Sequence, residues 1–225
     1  MMTRFKDRMH AGKLLAHELD AYAHHPDAIV LALPRGGVPV GFALARALEL
    51  ALDVLLVRKL GMPGHEEYAI GAVGSGGVRV LQREAIELSG VQPELIATLV
   101  AREQAVIERR ERLYRGARPP PALAGRTVIL ADDGLATGAS MRAAVAVARA
   151  QGAARIVIAV PVGAPDSVEA LAAEVDQIAC LSTPMLFRAV SQWYRSFDQT
   201  SDAEVQDLLA IAWRDQARQP AATHP

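Results

Sequence analysis

Asp132 and Asp133 are adjacent carboxylates at the end of an apolar run, Val128 to Ala131. An ionised carboxylate only accepts hydrogen bonds, so the pair suits sugar hydroxyls or a divalent cation carried on a polyphosphate. The residues that follow, Gly134-Leu-Ala-Thr-Gly-Ala-Ser140, suit a phosphate. Gly138 lets the backbone come close, so successive N–H groups can converge on an anion where a helix begins. Thr137 and Ser140 add hydroxyl donors. The apolar run reads as a buried strand, and Met141, Ala144, Val145 and Ala148 fall on one face of a helix that Gly152 is placed to end. Carboxylates beside a phosphate cradle fit one kind of ligand in both halves, a ribose 5-phosphate.

This stretch resembles the fingerprint of the type I phosphoribosyltransferases: a hydrophobic strand, paired acids, then Thr-Gly-Ala-Ser. The resemblance implies that Ala136, Thr137, Gly138, Ala139 and Ser140 hold the ribose 5-phosphate of phosphoribosyl pyrophosphate. It implies that Asp132 and Asp133 are the catalytic acids, holding ribose hydroxyls or waters on Mg²⁺, with the Mg²⁺ carried by the substrate. Gly134 departs from the family, which more often has an aliphatic residue there, and a looser loop is the expected consequence.

A second loop, Leu33-Pro-Arg-Gly-Gly37, follows another apolar run, Ala28 to Leu33. Its glycines permit close backbone approach, and Arg35 offers a planar fork of donors to phosphate oxygens. By position it resembles the family's pyrophosphate loop, which would make Arg35, Gly36 and Gly37 ligands of the leaving group. The competing reading is a dinucleotide-binding turn; Gly36, Gly37 and Gly41 do not match GxGxxG, and Asp53 is only loosely placed as a ribose acid. Arg58 and Lys59 end the next strand, read over 53–57. The resemblance implies that a basic residue here contacts pyrophosphate; strand neighbours point opposite ways, which makes Lys59 the choice, and a solvated pair is the alternative.

These loops need a scaffold that brings them to one edge. Apolar runs at 28–33, 53–57, 126–131, 155–160 and 175–180 alternate with helical patterns at 38–50, 139–151 and 165–174. Such alternation gives an α/β fold, a parallel twisted sheet flanked by helices, with ligands beyond the carboxyl ends of the strands. A further helix is read over 9–24, packed on the sheet. Residues 61–122 read as a helical and β insertion. Within it 61–77 is glycine-rich and matches the family's mobile catalytic loop; Ala69–Val73 and Val78–Leu81 have β character, so a rigid hairpin competes with a lid. The 93–115 helix repeats Leu99, Val106 and Leu113 beside Val100, Ile107 and Tyr114, a seam suited to its own domain or to a second copy in a homodimer. Phe187, Trp193, Tyr194 and Phe197 cluster in a C-terminal segment, about 182–215, that the resemblance makes a hood over the acceptor base. The rings serve either as a stacking face or as an anchor for that segment. A single domain over 1–218 with a disordered tail at 219–225 is expected.

Net charge is −1, which gives no reason to expect nucleic acid, and no apolar run is long enough for a bilayer. The single cysteine, Cys180, excludes an internal disulfide and fits a reducing cytoplasm. The implied activity is transfer of ribose 5-phosphate from phosphoribosyl pyrophosphate to a small nitrogen nucleophile, a nucleobase, with release of pyrophosphate. A non-catalytic sensor of the same ligand or of a nucleotide is the alternative, and a nucleotide-dependent oxidoreductase is disfavoured.

Overall fold

The computed structural model describes residues 4–62 and 65–218. In chain order the elements are α1 (Arg8–Glu18), β1 (Ala28–Ala32), α2 (Gly37–Leu48), β2 (Ala51–Val54), β3 (Val57–Met62), β4 (His65–Gly74) and β5 (Val78–Leu81). Then come α3 (Arg83–Ser89), α4 (Pro93–Arg115), β6 (Thr127–Ala131), α5 (Ala139–Ala150), β7 (Arg155–Val162), α6 (Pro165–Ala172), β8 (Gln177–Ser182) and α7 (Asp202–Arg218).

Five strands form a parallel sheet in the order β2-β1-β6-β7-β8. β1 is buried along its whole length, as a central strand covered on both faces must be. The alternation along the strands sorts the core into two layers. Val30, Ala32, Ile129, Ala131, Val157 and Ala159 pack with α1, α2, α4 and α7. Ile29, Leu31, Val128, Leu130, Ile156 and Ile158 pack with α5 and Leu171 of α6. The strand order reverses between β1 and β6, so the loops after these two strands open into one crevice. Both anticipated ligand loops, 34–37 and 132–140, are those loops.

The expected strand over 53–57 divides. β2 ends at Val54, and β3 begins at Val57 in a separate antiparallel sheet, β3-β4-β5. Arg58 and Lys59 therefore belong to this second sheet and do not end a strand of the first. Ser75 ties the two sheets: its N–H donates to Leu56 O at 2.9 Å and its hydroxyl accepts from Leu56 N–H at 3.1 Å. Gly74 rests on α5, where an added Cβ would lie 2.5 Å from Val147 Cγ1. The 61–77 segment is thus mostly paired strand, with its tip, residues 63 and 64, outside the described residues. Backbone pairing from Val57–Gly74 through Gly61–Ala69 gives it the hairpin geometry that competed with an open loop.

α4 packs on its own domain. Its buried positions include Ile96, Val100, Glu103, Ile107 and Tyr114, while Leu113 is 42% exposed. The seam therefore runs along the second of the two anticipated rows, and the row through Leu113 faces outward. Arg115, at the end of α4, is 5% exposed and donates to Asp53 Oδ1 at 2.8 Å, Glu111 Oε1 at 2.9 Å and Val54 O. This pins the end of the insertion to β2. Asp53 is thereby a structural partner and not a ribose ligand; burial raises its pKa, and Arg115 opposes that rise.

The helix expected over 9–24 stops at Glu18, and a 3-10 turn follows at Asp20–Tyr22. Residues 202–215, assigned from sequence to the hood, lie in α7, which packs on α2, β2 and α4. Trp213 Nε1 donates to Leu52 O at 3.0 Å, covering the edge strand β2. Only the segment before α7 lies above the carboxyl end of the sheet. The tail at 219–225 falls outside the described residues.

Candidate active site

The site begins where β1 and β6 end. Gly36 and Gly37 pass directly over the acid pair. An added Cβ at Gly36 would fall against Asp133 Oδ2, and one at Gly37 would lie 2.6 Å from Ala131 O and 3.1 Å from Asp132 Oδ1. Only glycine permits this approach, so both glycines are explained by contact and not by torsion. The Pro34–Arg35 peptide is cis. Gly36 caps α2 without a side-chain acceptor, and the first N–H groups of that helix turn back on the loop: Gly37 N–H donates to Leu33 O at 3.0 Å and Val38 N–H to Arg35 O at 3.1 Å. Arg35 turns toward the start of α7, with Nη1 3.9 Å from Asp202 Oδ1. Tyr114 also donates to Asp202 Oδ1, at 2.6 Å. Burial and this carboxylate push the Tyr114 hydroxyl up to about 12.

The second loop closes the other side. Leu135 pairs with Gly163 across the end of β7: Leu135 N–H donates to Val162 O at 2.9 Å and Ala164 N–H to Leu135 O at 2.8 Å. The Ser167 hydroxyl donates to Ala136 O at 2.7 Å, fixing the loop from α6. Gly138 has φ +71° and caps α5, a left-handed conformation that glycine adopts without strain. Thr137 Oγ1 accepts from Ala139 N–H at 3.4 Å. Thr137 and Ser140 are exposed, so this cradle faces open space. Gly134 is not a looser joint. The position its Cβ would take is filled by Val190, at 2.7 Å, so the departure from an aliphatic residue reflects close packing of residue 190 on the loop.

Lys59 and Arg58 do point opposite ways. Arg58 donates to Glu103 of α4 at 2.7 Å. Lys59 lines a cavity of 270 Å³ together with Thr137, Ala139 and Arg142, and residues 35–37 do not line it. The lysine is therefore placed beside the 137–140 cradle and not beside the Arg35–Gly37 loop.

The sequence reading missed Arg8. Its Nε and Nη2 lie 2.9 and 2.8 Å from Asp133 Oδ2, and Nη1 donates to Asp198 O at 2.7 Å. The guanidinium stacks 3.7 Å from the centre of the Phe197 ring. Tyr194 completes the frame by donating to Asp133 O at 2.7 Å. Phe5, Tyr194 and Phe197 form a tilted stack with centroids 5.5 and 5.0 Å apart. The rings of the C-terminal segment thus anchor it to the N-terminal residues and to the acid loop. Only the charge of Arg8 marked it in sequence, and the separation of 125 positions from Asp133 hid the pairing.

Burial, reinforced by the charge of Asp133, holds the Asp132 carboxyl well above its ordinary range. Burial also raises Asp133, and Arg8 pulls it back. Asp132 Oδ1 accepts from Asp133 N–H at 2.8 Å. Two crowded acids share one guanidinium, so the pair carries an uncompensated negative charge when ionised. That donor set fits Mg²⁺ held chiefly by a substrate polyphosphate, with Asp132 as the freer carboxylate. Among the described residues no group of three or more His, Cys, Asp and Glu forms a metal cage of its own.

A family model described as phosphoribosyl transferase domain matches residues 4–188. Two curated Mycobacterium tuberculosis proteins, Rv0571c and MT0597, both provisionally named phosphoribosyl transferases, are each 45% identical over 214 residues, covering 95% of this chain. The chain spans about half the length of these relatives, 48%. The crystal structure of TT1426 from Thermus thermophilus is 43% identical, with a TM-score of 0.86 over 93% of this chain and 99% of that one.

Proposed function

Because the chain belongs to the phosphoribosyl transferase domain family, we propose that its crevice binds phosphoribosyl pyrophosphate and transfers ribose 5-phosphate to a nitrogen nucleophile, releasing pyrophosphate. The observation that carries this reading is the contact between the two loops: Gly36 and Gly37 lie against the same acid pair that leads into the Thr137–Ser140 cradle. A ligand with phosphate at one end, diphosphate at the other and a sugar between them matches that layout.

In this reading the N–H groups of Ala139 and Ser140 and the Thr137 hydroxyl hold the 5-phosphate, with Lys59 adding positive charge on that side. The Arg35–Gly37 loop, through the Arg35 guanidinium, takes the departing diphosphate, where negative charge grows as the C1–O bond breaks. Mg²⁺, when bound, neutralises the diphosphate. Asp132 accepts from the ribose hydroxyls or from waters on that ion and favours the cationic ring. Asp133, held by Arg8, shapes the loop; its charge acts through that pairing. A nucleobase is the acceptor class that the family resemblance favours, placed beneath the segment before α7.

A binding-only protein is the second reading, favoured by the engagement of Asp133 with Arg8. Incubation with Mg²⁺, phosphoribosyl pyrophosphate and a panel of nucleobases, with pyrophosphate measured, separates the two. Base-dependent pyrophosphate release supports the transferase. Calorimetric binding without release supports the sensor, and absence of binding removes both.

A further inference from the structure

On the flank of the sheet, α1, the end of β8 and the 193–195 segment enclose a cavity of 670 Å³. None of residues 34–37 or 132–140 lines it, so it is separate from the crevice. Its volume falls within the range of small-molecule sites. Leu14 and Leu181 give it an apolar floor, and Trp193 gives it a ring face. Arg4, Lys6 and Arg195 stand exposed at its margin, and none makes an ion pair with a described carboxylate. His10 and His17 add imidazoles, against a single acid, Glu18.

The backbone explains how these cations gather. Phe5 and Tyr194 pair as parallel neighbours, with Phe5 N–H donating to Trp193 O at 2.9 Å and Arg195 N–H to Phe5 O at 2.8 Å. Residues on either side of a paired position point the other way. Phe5 and Tyr194 pack together, so Arg4, Lys6, Trp193 and Arg195 emerge on the cavity side. Two polar atoms in the wall, Ser182 Oγ and Trp193 Nε1, are buried with no hydrogen-bond partner. Buried polar atoms are ordinarily paired, and a small rotation of either side chain would meet an acceptor on a ligand.

We propose that this cavity is a second small-molecule site that takes a flat heteroaromatic ring bearing a phosphate, a nucleoside monophosphate in size and charge. The ring lies on Trp193 above the leucine floor. The ring's carbonyl or ring nitrogen accepts from the indole N–H or the Ser182 hydroxyl. The phosphate meets Arg4, Lys6 and Arg195.

The test is calorimetric titration of the full chain with adenosine 5′-monophosphate, adenosine and inorganic phosphate. The monophosphate should bind more tightly than either fragment. In a Lys6→Ala/Arg195→Ala variant its affinity should fall about tenfold or more, as loss of charged contacts implies. In Gly138→Val, which damages the crevice cradle, binding at the flank cavity should persist, and Trp193→Phe should weaken it. Loss of binding in Gly138→Val with retention in Lys6→Ala/Arg195→Ala would place the nucleotide in the crevice and overturn the proposal. So would equal binding of phosphate alone, or no binding of the monophosphate at millimolar concentration. A crevice that transfers ribose phosphate would itself hold a nucleoside monophosphate, so the decisive comparison is made in the Gly138→Val background, where adding Lys6→Ala/Arg195→Ala should still lower the affinity and an unchanged affinity would overturn the proposal.

Discussion

Replacing Arg8 with alanine removes the cation that, among the described residues, pairs with the acid loop. The guanidinium contacts Asp133 Oδ2 through two nitrogens, donates to Asp198 O and covers the Phe197 ring. The side chains of Arg8 and Asp133 are 11% and 16% exposed, so solvent compensates little. Breaking a fully buried pair costs about 3–5 kcal/mol, and the residual exposure here lowers the expected loss to about 2–4 kcal/mol. Asp133 can recover part of that by taking up a proton. Its folded pKa already lies above the ordinary 3.8, so its contribution to stability is present at low pH and is lost as pH rises through the folded value. Without Arg8 the folded value rises further, and the variant should lose more stability at pH 8 than at pH 5. Urea denaturation of both proteins at the two pH values measures this. Arg8→Lys should fall between them, since it keeps the charge but not the planar fork or the stacking. A loss below about 1 kcal/mol, or one that is the same at pH 5 and pH 8, refutes the reasoning.

Three other perturbations have defined outcomes. Gly138→Val forces a β-branched residue to φ +71° with its Cβ 3.1 Å from Leu171 Cδ1; it should abolish calorimetric binding of phosphoribosyl pyrophosphate while near-native helix content persists by circular dichroism. Arg115→Met leaves Asp53 buried and unpaired and should cost about 3–5 kcal/mol in chemical denaturation, whereas adding Asp53→Asn should restore part of that loss, the sign of coupling that independent sites would not give. Glu103, buried between Arg58 and Arg102, titrates below its ordinary 4.5 because hydrogen bonds from these arginines outweigh burial. Its contribution is present above that value and lost as pH falls through the folded one, so Glu103→Gln should flatten the acid limb of the stability profile measured by thermal melting.

The sequence by itself determined the parallel sheet and the place of the 34–37 and 132–140 loops at its carboxyl edge. Runs such as Ala28 to Leu33 and Val128 to Ala131 carry their own signal, because a central strand must be apolar on both faces. Glycines and hydroxyls at a strand-to-helix junction declare themselves locally, so Arg35–Gly37 and Asp132–Ser140 were legible together with the sheet edge that holds them. The opposition of Arg58 and Lys59 followed from strand geometry alone, but which neighbours they met did not. Tertiary structure decided what depends on distant partners. It sent β3 into a second sheet and set Lys59 beside the phosphate cradle. It turned Asp53 into the anchor of Arg115 and made α7, not a hood helix, from residues 202–218. It also brought Arg8 onto Asp133. None of these could be read from spacing, because ion pairing and edge covering join residues far apart in the chain, and a local pattern records only the chemistry of its own neighbourhood.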